Sequence, residues 1–166
     1  MTPGDALEDA VKQAAEWYEA QNIALVNKVP TPIKVLSGVR KTVRGREFTA
    51  CFEAPAVCDF LGVFLSAAGD ALVGKILAVE CKSTVALRLP YSAVEPQQRR
   101  WLNAIQHAYL LVEFRHGAKS ACRLVAWRLC KPGQSVGPQD GVSVDAVQFL
   151  SPVLSPSVNP LPGDDK

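Results

Sequence analysis

The chain contains no CxxC pair, only two histidines and a single methionine. Its five cysteines, Cys51, Cys58, Cys81, Cys122 and Cys130, are odd in number and sit mostly in apolar, strand-like runs. They read as reduced core residues, not a disulfide framework. His107 and His116 lie far apart with no cysteine partner at ligand spacing, which argues against a zinc ribbon or finger. No apolar run approaches the ~20 residues that cross a bilayer. The opening stretch MTPGDALEDAVKQ carries acids where a secretory signal needs a basic stretch and then an apolar one. The expectation is a chain that stays in the cytoplasm. No internal repeat is present.

What the sequence does have is 166 residues, 48% hydrophobic and 20% charged, enough for one domain with one sizeable core. Net charge is only +2, but the charges are unevenly placed. Residues 1–22 hold five acids and one lysine, whereas residues 28–47 hold Lys28, Lys34, Arg40, Lys41, Arg44 and Arg46 against Glu47 alone. A second basic stretch runs from Arg99 to Lys131. Such clusters suit a surface that meets a polyanion, because phosphate neutralisation drives nucleic-acid affinity. A solvated basic loop is the plainer alternative.

Residues 5–20 place Leu7, Val11, Ala14 and Tyr18 on one helical stripe, with Asp5 and Glu8 near the start where the helix dipole favours acids. Ile23–Val29 is a short β-prone run ended by Pro30 and Pro32. The stretch from Leu36 to Ala54 alternates basic or polar with apolar residues around Gly38 and Gly45, a pattern for a β-ribbon. AVCDFLGVFL (56–65) and KILAVECK (75–82) are the best strand candidates and are expected to pair as a hairpin. EPQQRRWLNAIQHA (95–108) reads as a helix, and 109–114 and 120–129 as two further strands. The expected architecture is an α/β mixed sheet flanked by helices over residues 1–150. Six of the twelve prolines fall after Lys131, so 151–166 is expected to be a disordered tail.

Strand alternation sets Asp59 in the row Val57, Asp59, Leu61, Val63, and Glu80 and Lys82 in the row Ile76, Ala78, Glu80, Lys82. A carboxylate in an apolar row is usually paired, protonated or bound to a cation. An ion pair with Lys82 that simply holds the hairpin is one reading. The other is metal-assisted phosphodiester hydrolysis. Asp59 and Glu80 on adjacent strands can share Mg²⁺, which takes oxygen ligands and keeps several waters, and Lys82 lies on the same face as Glu80.

KVPTPIKVL, the basic stretch after it, FTACFEAPAVCDFLGVFL, ILAVECKS and VEPQQRRWL, in that order, resemble a RecU-type Holliday junction resolvase of the PD-(D/E)xK nuclease superfamily. The resemblance runs from about residue 5 to about residue 130 and rests on the combination, with the PTP segment its most distinctive part. It implies a restriction-endonuclease-like fold with a projecting basic stalk at about 34–53, and a structure-selective, Mg²⁺-dependent endonuclease, with Mn²⁺ as a substitute. Asp59 and Glu80 then match the metal carboxylates, Glu8 the glutamate that completes the acidic site, Lys82 the catalytic lysine, and Gln98 the glutamine on the following helix. Gln97 competes for that last role, and Cys58 stands where the family has proline. On the same resemblance, four-way junction DNA is the substrate. Lys28, Thr31, Lys34, Arg40, Lys41, Arg44 and Arg46 would contact it.

Each of these residues also has an ordinary explanation. Glu8 can stabilise a helix start, Gln98 can be solvated, and Thr31 can be a rigid corner between two prolines. Trp17, Trp101 and Trp127 are expected in the core. Paired cuts in two strands, with one candidate site per chain, call for a two-fold homodimer. The alternatives to a junction resolvase are a nuclease for other branched DNA and a non-catalytic DNA-binding module of the same fold.

Overall fold

The computed structural model describes residues 3–30, 33–35, 40–42, 45–47, 50–52, 57–117 and 119–155, the short pieces between 33 and 52 as backbone strands only. Helix α1 (Pro3–Ala20) follows the apolar stripe read from the sequence: Leu7, Val11, Ala14 and Tyr18 are all buried. Asn22, in the left-handed conformation at φ 56°, turns the chain into β1 (Ala24–Lys28). The basic stretch follows as β2 (Ile33–Val35), β3 (Arg40–Thr42), β4 (Gly45–Glu47) and β5 (Ala50–Phe52). β2 pairs with β5 and β3 with β4, both antiparallel, so the expected ribbon is present in the backbone. In its register Lys41 faces Arg46 and Arg40 faces Glu47. Thr31 and Arg44 lie outside the described residues.

β6 (Phe60–Phe64) and β7 (Ile76–Thr84) form the expected antiparallel pair. β8 (Leu89–Pro90) and helix α2 (Pro96–Ala104) then carry the chain back to β9 (His107–His116), which runs parallel to β7. β10 (Lys119–Ala126), β11 (Ser135–Val136), β12 (Val142–Val144) and the short helix α3 (Ser151–Leu154) complete the order. The main sheet is six-stranded, β1-β6-β7-β9-β10-β12, while β8 and β11 make a separate two-stranded ladder. Gly62 permits the β1–β6 contact, since a Cβ there would lie 2.4 Å from the Leu25 carbonyl oxygen.

Both faces of the sheet are covered, as a mixed α/β sheet requires. On one face α1 packs its stripe on Phe64, Leu77, Val79, Tyr109, Leu111 and Leu124. On the other, Val94 and Leu102 cover Ala78, Leu110, Val112 and Phe114. No helix of the described residues is long and apolar enough to cross a membrane.

Two expectations are corrected. The helix expected to reach 108 stops at Ala104, because His107 and Ala108 are already paired with Leu77 and Ala78 of β7 and the ladder overrides local helix propensity. Trp17 and Trp101 are each 48% exposed, so of the three tryptophans only Trp127 is a core residue. Their neighbours Tyr18 and Leu102 take the inward positions. Of the expected tail 151–166, residues 151–154 form α3 just after buried Phe149 and Leu150, whose Leu150 N–H donates to the Tyr18 hydroxyl at 2.9 Å, and 156–166 lie outside the described residues.

Candidate active site

Pairing between β6 and β7 runs from Val63–Ile76 to Phe60–Val79 and then stops, while β7 continues to Thr84 alongside β9. The ladder between β6 and β7 therefore ends beside Glu80, leaving a notch in the strand pairing there. Asp59 stands at its mouth, one residue ahead of β6, and its Oδ2 accepts a hydrogen bond from the Cys81 main-chain N–H at 2.8 Å. This carboxylate satisfies a strand donor that β6 no longer reaches. The sequence reading of Asp59 as a strand residue is thus nearly right, and its juxtaposition with Glu80 holds.

Glu80 sits on the α2 side of β7, fully buried beneath that layer. Lys82, two residues on and on the same face, donates from Nζ to Glu80 Oε1 at 2.5 Å. The other oxygen, Oε2, is buried without a hydrogen-bond partner. Burial, and then the neighbouring Asp59 charge, push the Glu80 carboxyl up to about 7, while Lys82 pulls the other way. Asp59 is raised too, chiefly by burial, against the pull of the Cys81 N–H and Lys82. Two carboxylates side by side, Glu80 fully buried and Asp59 half-buried, resist carrying two full charges unless a cation joins them. Lys82 supplies one positive charge to Oε1, and Oε2 has no such partner.

Glu8 approaches from α1, on the opposite face of the sheet. It receives a hydrogen bond from Lys28 Nζ and raises the pKa of that lysine. Its charge is felt by Asp59. Among the described residues no group of three or more such side chains is gathered tightly enough to enclose an ion. The chemistry of the donor set, hard oxygens with one unpaired, still fits Mg²⁺ or Mn²⁺ bound through Asp59 and Glu80, with water completing its shell.

Gln98 is the buried member of the glutamine pair. Its Oε1 accepts from the Glu95 N–H at 3.0 Å, and it completes a capping box with Glu95 at the start of α2. That role was legible in the spacing Glu95-x-x-Gln98 and was missed. The Cys81 N–H was missed for a different reason, because a main-chain donor leaves no trace in a residue pattern. Lys28 is read from sequence as a DNA contact, and the structure ties it to Glu8 as well. Of the ribbon residues, Lys34, Arg40, Lys41 and Arg46 lie on its strands.

The family model for Recombination protein U matches residues 2–120, most of the chain. A Holliday junction resolvase RecU from Listeria welshimeri serovar 6b is 32% identical over 84 residues, 49% of this chain and 37% of that protein. The matched stretch thus spans little more than a third of that relative's length. With its notch, its Asp59–Glu80–Lys82 set and a match over most of its length, the chain belongs to the Recombination protein U (RecU) family.

Proposed function

We propose that the chain is a divalent-metal-dependent endonuclease that resolves four-way DNA junctions by paired cuts. The observation that carries this reading is the pairing of half-buried Asp59 with fully buried Glu80 where the β6–β7 ladder ends, with Lys82 on the same face and one Glu80 oxygen unpartnered. The match to a named Holliday junction resolvase supports the choice of substrate.

Asp59 and Glu80 would hold the cation directly, with Glu8 acting through the field at Asp59 or through a bound water. When bound, such a cation supplies Lewis acidity at a phosphodiester oxygen and a water of lowered pKa. The Cys81 N–H fixes the orientation of Asp59, so that one carboxylate oxygen is committed to the fold and the other is free for ligation. Lys82, held on the same face by Glu80 Oε1, would be placed to meet negative charge developing on the phosphate. Gln98 keeps α2 capped against this face.

Lys28, Thr31, Lys34, Arg40, Lys41, Arg44 and Arg46 are assigned to phosphate contacts, with the ribbon entering the junction centre. Phosphate contacts of this kind recognise shape and charge and do not by themselves read base sequence. A two-fold homodimer in the cytoplasm, with residues 1–150 as the nuclease domain, completes the proposal: two identical sites match two strands of like polarity. A gel assay on a synthetic four-way junction beside linear duplex and a flap, with and without Mg²⁺, tests it. Equal cutting of the flap marks a general branched-DNA nuclease, and binding with no cutting marks a DNA-binding module.

A further inference from the structure

The chain leaves β7 through Thr84 and crosses to β8 on the loop 85–88. Val85 and Leu87 on this loop are each 73% exposed, above every other large hydrophobic side chain among the described residues. A single exposed aliphatic residue is ordinary. Two of them on one short loop, three and five positions beyond Lys82, are not accounted for by the core or by the acidic site.

The loop is held at both ends. The Ala86 N–H donates to Thr84 Oγ1 at 3.0 Å. Arg88 Nε donates to Ser135 Oγ at 2.7 Å, and its Nη2 to the Ser135 carbonyl at 2.6 Å and to Asp140 at 3.3 Å. Leu89 is buried immediately after and pairs with Val136. With its flanks tied in this way, the loop presents both aliphatic side chains to solvent.

We infer that Val85 and Leu87 form an apolar wedge that packs against unstacked bases next to the scissile phosphate. The inference rests on the endonuclease reading and names a specificity element within it. Two observations choose DNA as the occupant. Lys82 is paired with Glu80 and Arg88 with Asp140, so between residues 82 and 100 the balance left to suit a polyanion is Arg99 and Arg100 against Glu95. Along an extended strand Val85 lies roughly 10 Å past Lys82. That is about three base steps from a phosphate held at Lys82, at ~3.4 Å per step. Aliphatic wedges of this sort partly unstack base steps in other DNA-bending proteins, and a four-way crossover offers steps that are already weakened.

The test uses the full chain on the Lys82→Ala background, which keeps the carboxylates and leaves strands uncut. A four-way junction carries 2-aminopurine two or three bases from the cleavage position. With Val85 and Leu87 intact, binding raises the 2-aminopurine fluorescence. Val85→Ser with Leu87→Ser should abolish that rise and weaken junction binding about tenfold, leaving duplex affinity and the thermal midpoint unchanged. Leu87→Met alone should keep the signal. Equal fluorescence and affinity in the double serine variant would overturn the wedge, and so would a variant that only shifts the monomer–dimer balance, which would give the patch to a second copy of the chain. If no version of the protein binds the junction, the endonuclease reading falls and takes the wedge with it, an outcome distinct from normal binding without unstacking.

Discussion

Asp59 Oδ2 lies 2.8 Å from the Cys81 main-chain nitrogen, so a carboxylate at the mouth of the site also completes the hydrogen bonding of the central strand β7. Structure and chemistry are joined in one side chain, and substitutions at Asp59 separate them. Asp59→Asn keeps an oxygen that can accept from Cys81 and should leave the thermal midpoint within a few degrees of the parent. Asp59→Ala leaves that donor without its acceptor and should cost about 1–3 kcal/mol. Both should abolish cleavage, while the asparagine form binds the junction as well as or better than the parent, since a negative charge facing phosphate is gone. Denaturation and binding on the same preparations decide between the two contributions.

Glu80 gives a pH signature. Burial and the neighbouring Asp59 charge push its carboxyl up to about 7 from an ordinary 4.5, so the folded state holds that proton more tightly than the unfolded one. The stabilisation is fully present below about pH 4.5 and is lost as pH rises through 7. The metal-free protein should therefore lose on the order of 1–3 kcal/mol from this group between pH 5 and 8. Glu80→Gln has no proton to lose and should flatten that slope. Mg²⁺ at pH 8 should restabilise the parent and leave the glutamine form nearly unmoved. Urea titrations at the two pH values check both statements.

The register of β6 and β7 explains why the acidic pair was legible in the sequence. Alternation puts Glu80 and Lys82 on one face wherever the strand begins, and the pairing brings Phe60 opposite Val79, with Asp59 one step beyond. Alternation does not reveal where a strand stops, and the notch depends on β6 ending while β7 continues. For the same reason the helix expected to reach 108 was too long: helix-forming residues at 105–108 are outcompeted by a parallel ladder set 30 residues upstream. Trp17 and Trp101 were misjudged because size and apolar character say nothing about which side of a helix meets the sheet. Tyr18 and Leu102, one position on, do.

The end of the described chain depends on α1. Tyr18, buried and edge-on to Phe149 at a centroid distance of 5.6 Å, accepts the Leu150 N–H. Tyr18→Phe keeps the ring and removes the acceptor, and should destabilise the protein by about 1–3 kcal/mol. Amide exchange at Leu150 should quicken more than exchange in β7. Uniform quickening across the sheet would show instead that α1 and the C-terminal segment open with the whole domain.

The ribbon is the proposed source of junction selectivity. Replacing Arg40, Lys41, Arg44 and Arg46 together by alanine should weaken junction binding far more than duplex binding and reduce the salt slope of the former. Equal losses on both substrates would make the ribbon a general polyanion contact. Affinities across a salt series, on both substrates, separate the two.

The central claim is most directly tested by cleavage of a synthetic four-way junction in Mg²⁺ by the parent chain, by Asp59→Asn, and by a mixture of the two. The account predicts paired, symmetric cuts from the parent and none from the variant. The mixture should give heterodimers that nick one strand and seldom complete resolution. Full-rate cleavage by Asp59→Asn, or paired cuts made by a protein that sediments as a monomer on the junction, would contradict it.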